Sequence, residues 1–230
     1  TGRKYEIPIG NDQNGIGKFL KINNKKHIVA VQGLGFVGTA MSLVIANSDQ
    51  GEYAVIGVDR PTEDSYWKIA EINSGTCPII SSDPLISDFF YKAKLKQNFY
   101  ATHDTMAFSV ADVIIVDINL DVVKIKDNLG NIESYDVPLE NFRKAIESIG
   151  RVCKENVLIL VETTVPPGTC QKVIYPIIVE NLKSRGLATN KFMLGHSYER
   201  VMPGPNYINS IKNFYRVYSG INVESADAVE

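Results

Sequence analysis

The sequence is poor in the features that mark special environments. Among 230 residues only three are cysteine, Cys77, Cys153 and Cys170, too few and too odd in number for a disulfide framework. No apolar run approaches the ~20 residues needed to span a bilayer, and the start carries no signal-peptide pattern. Neither sign of charge is in excess. Lys and Arg number 24 against 26 Asp and Glu, a formal net charge of -2, and the basic residues are scattered, which argues against a nucleic-acid partner. The three histidines, His27, His103 and His196, have no cysteine or acid at metal-ligand spacing, so no metal site is expected. Internal repeats and low-complexity segments are also missing. The remaining composition, 44% hydrophobic and 22% charged, is that of an ordinary globular protein with room for one full core. A cytoplasmic setting without membrane contact is the expectation.

What is present begins at His27. HIVAVQ, residues 27–32, is β-branched or small throughout and reads as a buried strand. It runs into G-x-G-x-x-G at Gly33, Gly35 and Gly38, and TAMSLVIANS then fits a helix. Each glycine has a physical job. Gly33 permits a tight turn, Gly35 lets backbone approach a pyrophosphate, and Gly38 lets the helix pack closely on the strand. The helix start at Phe36 and Val37 offers unpaired N–H groups and a positive dipole end to phosphates. A second strand, VIGVD, ends at Asp59, 21 residues beyond Gly38, where a carboxylate can accept hydrogen bonds from both ribose hydroxyls. This pattern predicts a dinucleotide site holding Gly33, Gly35, Phe36, Val37, Gly38, Asp59 and Arg60. The acid favours NAD over NADP, while the adjacent Arg60 weakens that preference.

Along the rest of the chain, strands and helices alternate. Residues 1–26 show little periodicity and two Gly/Asn clusters, so they are expected to form an N-terminal extension or loosely attached arm. TEDSYWKIAEINSG reads as a helix capped by Thr62 and ended by Gly75, with Trp67, Ile69, Ala70 and Ile72 inward. DPLISDFFYKAKLKQ is a second helix, NFYATH a short strand, and Val113 to Ile118 a buried one. From Asp121 to Val137 two strand-like pieces flank an Asn-Leu-Gly-Asn turn, an expected hairpin whose acids Asp121, Asp127 and Glu133 face solvent. A helix with Pro138 near its first position buries Phe142, Ala145, Ile146 and Ile149. NVLILVE and KFMLGHS are strands around a helix bent at Pro176, and NFYRVYSG is expected to be the last strand. The fold class is therefore α/β: a doubly wound, mostly parallel Rossmann-type sheet with helices on both faces, over residues 27–220. VESADAVE reads as the opening of a linking helix at 221–230, and both ends are expected to be cuts in a longer protein.

Two loops lie at carboxyl ends of strands, where such sheets bind ligands. In Glu162-Thr163-Thr164-Val165-Pro166-Pro167-Gly168-Thr169 the prolines stiffen a turn, and both threonine hydroxyls are expected to face the crevice. In Ser197-Tyr198-Glu199-Arg200-Val201-Met202-Pro203-Gly204, Glu199 is a carboxylate for acid–base work and Arg200 an anion partner. With GLGFVG, INSGTCPI and RVYSG, these segments resemble, in order and spacing, the NAD-binding part of the UDP-glucose/GDP-mannose dehydrogenase family. The E-R-V-x-P-G form is most similar to the branch acting on UDP-N-acetylhexosamines. The resemblance implies NAD as cofactor, a UDP-sugar as substrate, and a homo-oligomer when full length. It further implies oxidation of the sugar C6 alcohol to a carboxylate in two NAD-dependent steps, through a covalent thio-adduct. Thr164 matches a threonine that helps order water near the reacting carbon and also lies beside the cofactor. Glu199 matches the glutamate of the hydrolytic half-reaction. Two departures stand out. Asp117-Ile118-Asn119 replaces the usual Pro-Thr-Pro, and Tyr198 replaces the proline before Glu199. The family's nucleophilic cysteine lies in a later domain, and none of the three cysteines here sits in its motif. They read as core thiols, although Cys170 at a helix start could be acidified. His196 could tune Glu199 or be structural. A stand-alone NAD-binding module and a β-hydroxyacid-type Rossmann dehydrogenase remain as alternatives, the two loops arguing against the latter.

Overall fold

The near-continuous apolar runs become strands buried on both faces. The computed structural model describes residues 4–49, 52–120, 122–198, 200 and 202–230, so Asp121 and Glu199 lie outside the described residues. The first strand, β1 (His27–Gln32), pairs in parallel with β2 (Tyr53–Val58) on one side and β4 (Val113–Val116) on the other. Outside β2 lies β3 (Phe99–Thr102); outside β4 lie β7 (Leu158–Val161) and β8 (Met193–His196), all parallel. A two-residue antiparallel strand, β9 (Ser219–Gly220), completes the order β3-β2-β1-β4-β7-β8-β9. The chain winds outward from β1 in both directions, which opens a crevice at the carboxyl ends of β1 and β4. Strands β5 (Val123–Lys126) and β6 (Ile132–Asp136) form the expected hairpin, and every residue in them is exposed.

Alternation along β1 divides the core in two. Ile28 and Ala30 face one layer, with α1 (Gln13–Ile22), α5 (Ala107–Val110), α6 (Glu140–Gly150) and α7 (Tyr175–Ser184). Val29 and Val31 face the other, with α2 (Phe36–Ala46), α3 (Tyr66–Ser74), α4 (Pro84–Lys96) and α8 (Tyr207–Asn213). A parallel sheet covered on both faces in this way leaves no polar side for its strands. The last helix, α9 (Val223–Val229), packs beside β8 and β9.

Several boundaries differ from expectation. Residues 13–22 are not loosely attached: they form α1, with Ile16 and Phe19 each 5% exposed inside the core and Phe19 stacked on Tyr100 at 5.7 Å. The two glycines in α1 weaken its helical signal, and two buried apolar residues suffice to anchor ten residues. Helix α3 starts at Tyr66, because Thr62 heads a turn whose carbonyl accepts from Ser65 and Tyr66 N–H. Gly75 does end α3, in the left-handed region at φ 85°. Pro138 stands before the N-cap Leu139 of α6 rather than inside it. Pro176 lies one residue into α7, and the irregularity expected there appears upstream as a π-helical turn, Cys170–Ile174. The expected last strand shrinks to β9, whereas α8 was not foreseen.

Truncating Phe19 to Ala should lower stability by about 3 kcal/mol, the usual cost of emptying a buried aromatic site. Urea unfolding measures it, and an unchanged midpoint would return residues 13–22 to the status of a loose arm.

Candidate functional site

The glycine turn closes against the end of β4. At Gly33, φ is 102°, and a Cβ would lie 2.0 Å from the Asp117 carbonyl oxygen. At Gly38 a Cβ would lie 2.0 Å from the carbonyl oxygen of Gly33. Neither position has room for a side chain, because the obstacle is backbone. Gly35 is different: it is exposed, its φ of -70° suits any residue, and nothing lies within 4 Å of a Cβ placed there. The glycine therefore keeps open space in front of the helix rather than relieving a clash.

That space faces the start of α2. Gly35 is its N-cap and offers no side-chain acceptor, and the first intrahelical bond runs from Thr39 N–H to Gly35 O. The N–H groups of Phe36, Val37 and Gly38 precede that bond, so they point outward with the positive end of the dipole. An eleven-residue helix opening on such a turn is an anion site by construction. Tyr207 of α8 is fully buried behind it, its ring 4.9 Å from that of Phe36 and its hydroxyl 3.4 Å from the Phe36 carbonyl. Asp83 holds α8 in place by capping α4 through Leu85 N–H while accepting Ile208 N–H at 2.8 Å. No periodicity in YINSIKN advertises this support, because α8 is too short to show one.

Asp59 stands where the spacing placed it, at the end of β2. One carboxylate oxygen accepts the Leu34 N–H of the glycine turn at 3.1 Å and also binds Lys68; the other accepts Arg60 N–H. Lys68, on α3, escaped the sequence reading. Its only signal is a basic residue on the first helix after the acid. The pair is largely shielded, with side chains 17% and 9% exposed for Lys68 and Asp59. Arg60 is exposed and reaches Asp64. The carboxylate is thus neutralised in part by a fixed cation, beside a second basic residue.

On the other flank, β7 and β8 deliver the two remaining loops. Thr163 does not face the crevice. It is buried, accepts Ile118 N–H at 2.9 Å and donates toward Ile118 O at 3.0 Å, tying down Asp117-Ile118-Asn119. Thr164 is exposed and lines a cavity of about 480 Å³ with the 165–170 turn, His196, Tyr198 and Ser219. His196 Nε2 lies 3.3 Å from the Thr163 carbonyl. Glu199 lies outside the described residues, and Arg200 beside it is exposed. Behind the loop, buried Glu162 pairs with Arg216. The cysteines offer no ready nucleophile: burial raises the pKa of Cys77 and Cys153 and pushes the Cys170 thiol to about 11, against the acidification considered for it. Among the described residues no group of three His, Cys, Asp or Glu is placed for a metal ion, and no helix is long and apolar enough to cross a membrane.

This geometry separates folding from binding at neighbouring positions. Gly35→Val should melt within a few degrees of the parent, since its side chain enters open space. Gly38→Ala should lose at least about 2 kcal/mol, because backbone must move. Thermal unfolding of both variants decides; equal losses would show that Gly35 and Gly38 serve one structural purpose.

The model of the UDP-glucose/GDP-mannose dehydrogenase family, NAD binding domain, matches residues 27–229. A UDP-N-acetyl-D-mannosamine dehydrogenase of Pyrococcus horikoshii is 28% identical over 204 residues, 88% of this chain and 43% of that protein. One from Methanococcus vannielii is 30% identical over 199 residues, 86% and 40% of the two chains. The crystal structure of NDP-N-acetyl-D-galactosaminuronic acid dehydrogenase from Methanosarcina mazei superposes with a TM-score of 0.77 at 26% identity, covering 93% of this chain and 43% of that one. The chain thus spans about two fifths of the relatives it matches. It belongs to the UDP-glucose/GDP-mannose dehydrogenase family, whose NAD binding domain it comprises.

Proposed function

We propose that this chain is the cofactor-binding part of a nucleotide-sugar 6-dehydrogenase whose substrate is a UDP-N-acetylhexosamine. The observation that carries the reading is the uncapped start of α2, kept open by Gly35 and joined through Leu34 N–H to the Asp59 carboxylate. The pyrophosphate of NAD fits the N–H groups of Phe36, Val37 and Gly38, and the adenosine ribose fits Asp59 with Lys68 and Arg60. The sugar follows from the relatives, whose names specify UDP-N-acetyl-D-mannosamine and UDP-N-acetyl-D-glucosamine.

Bound NAD supplies the hydride acceptor. The chain's own residues hold and orient. Asp59 fixes the ribose end, the α2 terminus holds the phosphates, and Thr163 stiffens the β4 loop beneath them. On the sugar side, Thr164 lines the cavity where a water can be ordered, Glu199 takes a proton from that water, and Arg200 pairs with an anionic group of the substrate. Oxidising an alcohol to an acid also needs a nucleophile to hold the aldehyde. A thiol with a pKa near 11 is protonated at neutral pH, so Cys170 does not supply it.

Isothermal titration of residues 1–230 should show NADH binding that Gly35→Val abolishes. Equal binding by both would remove the site from the glycine turn. Asp59→Ala should weaken NAD binding about tenfold and improve NADP, because Lys68 and Arg60 remain to meet the 2′-phosphate. NADP preferred over NAD by the unaltered chain would make Arg60, not Asp59, the selecting residue. Finally, residues 1–230 should form no NADH from NAD with UDP-N-acetylmannosamine or UDP-N-acetylglucosamine. Turnover that disappears in Cys170→Ala would overturn the roles assigned here.

A further inference from the structure

The family match begins at residue 27, yet the segment before it is joined to the carboxyl end of β3 by a dense set of polar contacts. Asp12, which precedes α1, is at the centre. One of its carboxylate oxygens accepts both the Tyr100 hydroxyl at 2.7 Å and the Thr102 hydroxyl at 2.6 Å. Its N–H donates to Asp104 at 2.9 Å, and Gly10 O lies 3.0 Å from His103 Nε2. Tyr5 reaches further, to Glu71 of α3. The packing leaves no slack: a Cβ at Gly15 would lie 2.0 Å from the Tyr100 hydroxyl oxygen.

These contacts end one hydrogen bond from the ribose acid. The carbonyl of Thr102 accepts Asp59 N–H at 3.1 Å, so the residue that Asp12 grips by its hydroxyl grips Asp59 by its backbone. Thr102 is fully buried and holds Asp104 N–H as well, at 3.1 Å, which shapes the turn after β3. Beside that turn, the rings of His103 and Tyr66 meet edge to face at 6.2 Å. Strand β3 lies beside β2 in the sheet, so the turn after β3 stands next to the end of β2 that carries Asp59. The N-terminal segment therefore braces the backbone beside the ribose acid.

We propose that Asp12 is a positioning residue for the adenosine half of the dinucleotide site, acting on Asp59 through Thr102. The inference rests on the reading of Asp59 as the ribose acceptor. Without the carboxylate, the buried Thr102 hydroxyl and the half-buried Tyr100 hydroxyl lose their acceptor and the β3 end is freed to shift, taking the Asp59 backbone with it. Asparagine keeps the acceptor, because both hydroxyls go to a single oxygen that an amide carbonyl can replace.

The test measures affinity in folded protein, where a merely structural role is silent. Titrations with NADH and with ADP-ribose are run well below each variant's melting temperature, checked by circular dichroism. Asp12→Ala should raise both dissociation constants about tenfold, and Asp12→Asn should stay within about threefold of the parent. Thr102→Val, nearly isosteric and missing only the hydroxyl, should weaken ADP-ribose in the same direction, and it decides the matter if Asp12→Ala fails to fold. Unchanged constants in the folded variants would overturn the proposal and leave Asp12 a stabilising contact only. Parent binding that vanishes in Gly35→Val keeps the cofactor reading standing whatever Asp12→Ala shows. A parent that binds neither ligand sinks that reading first.

Discussion

Two backbone contacts, each with no room for a methyl group, set the geometry on which everything else in this chain depends. Gly33 meets the carbonyl of Asp117, and Gly38 meets the carbonyl of Gly33. The first seats the turn on the end of β4; the second seats α2 on the turn. Together they point the helix start at the crevice instead of at solvent, and side chains elsewhere only adjust that aim. Tyr207 and Asp83 brace the helix from behind, and Thr163 braces β4 from the side. Because the obstacles are backbone, no rotamer change can accommodate a substituent at either glycine.

Electrostatics follows from this placement. The positive end of α2 lies across from the Asp59 carboxylate, which is drawn in by Leu34 N–H and balanced by Lys68. A bare acid at the end of β2 would repel any 2′-phosphate. An acid paired with lysine and flanked by arginine repels it far less, and discrimination then rests on the hydrogen bonds that a free 2′-hydroxyl donates to the carboxylate. To the acid and Arg60 read from the sequence the structure adds Lys68, a second cation beside the carboxylate.

The parts legible in the sequence were those governed by local rules. Strand β1, the turn and α2 carry their period and glycines within one continuous stretch, His27 to Ala46, so the fold class could be read from them. Contacts made at long range were not legible. Lys68, nine residues beyond Asp59, is marked only by its partner. Thr163 and Thr164, beyond the end of β7, are adjacent hydroxyls with opposite fates: the first is buried against the loop after β4 and the second is exposed. Helix α8 is seven residues long, and its anchoring comes from Asp83, 125 residues earlier. Segment 13–22 was misread because glycine and asparagine suggest a loop, while Ile16 and Phe19 need the sheet in place before they count as a buried face.

The two halves of the crevice are built differently. The half proposed for adenosine has the N-terminal segment joined to the end of β3 through Asp12 and Gly10, and Asp59 is held by Leu34, Lys68 and Arg60 in the free protein. Ordering costs there are met on folding, so binding a ligand to that half loses little conformational entropy. The sugar half is a cavity whose loop residues Thr164, Pro166, Pro167 and Gly168 are exposed. Prolines stiffen this loop in advance, and Thr163 and the His196 contact help to hold it to the sheet. The contacts around Asp59 are thus formed before any ligand arrives, whereas Thr164 lies on an exposed loop. The two-step oxidation proposed above would suit that division, with the cofactor meeting contacts already formed and the substrate meeting an exposed loop.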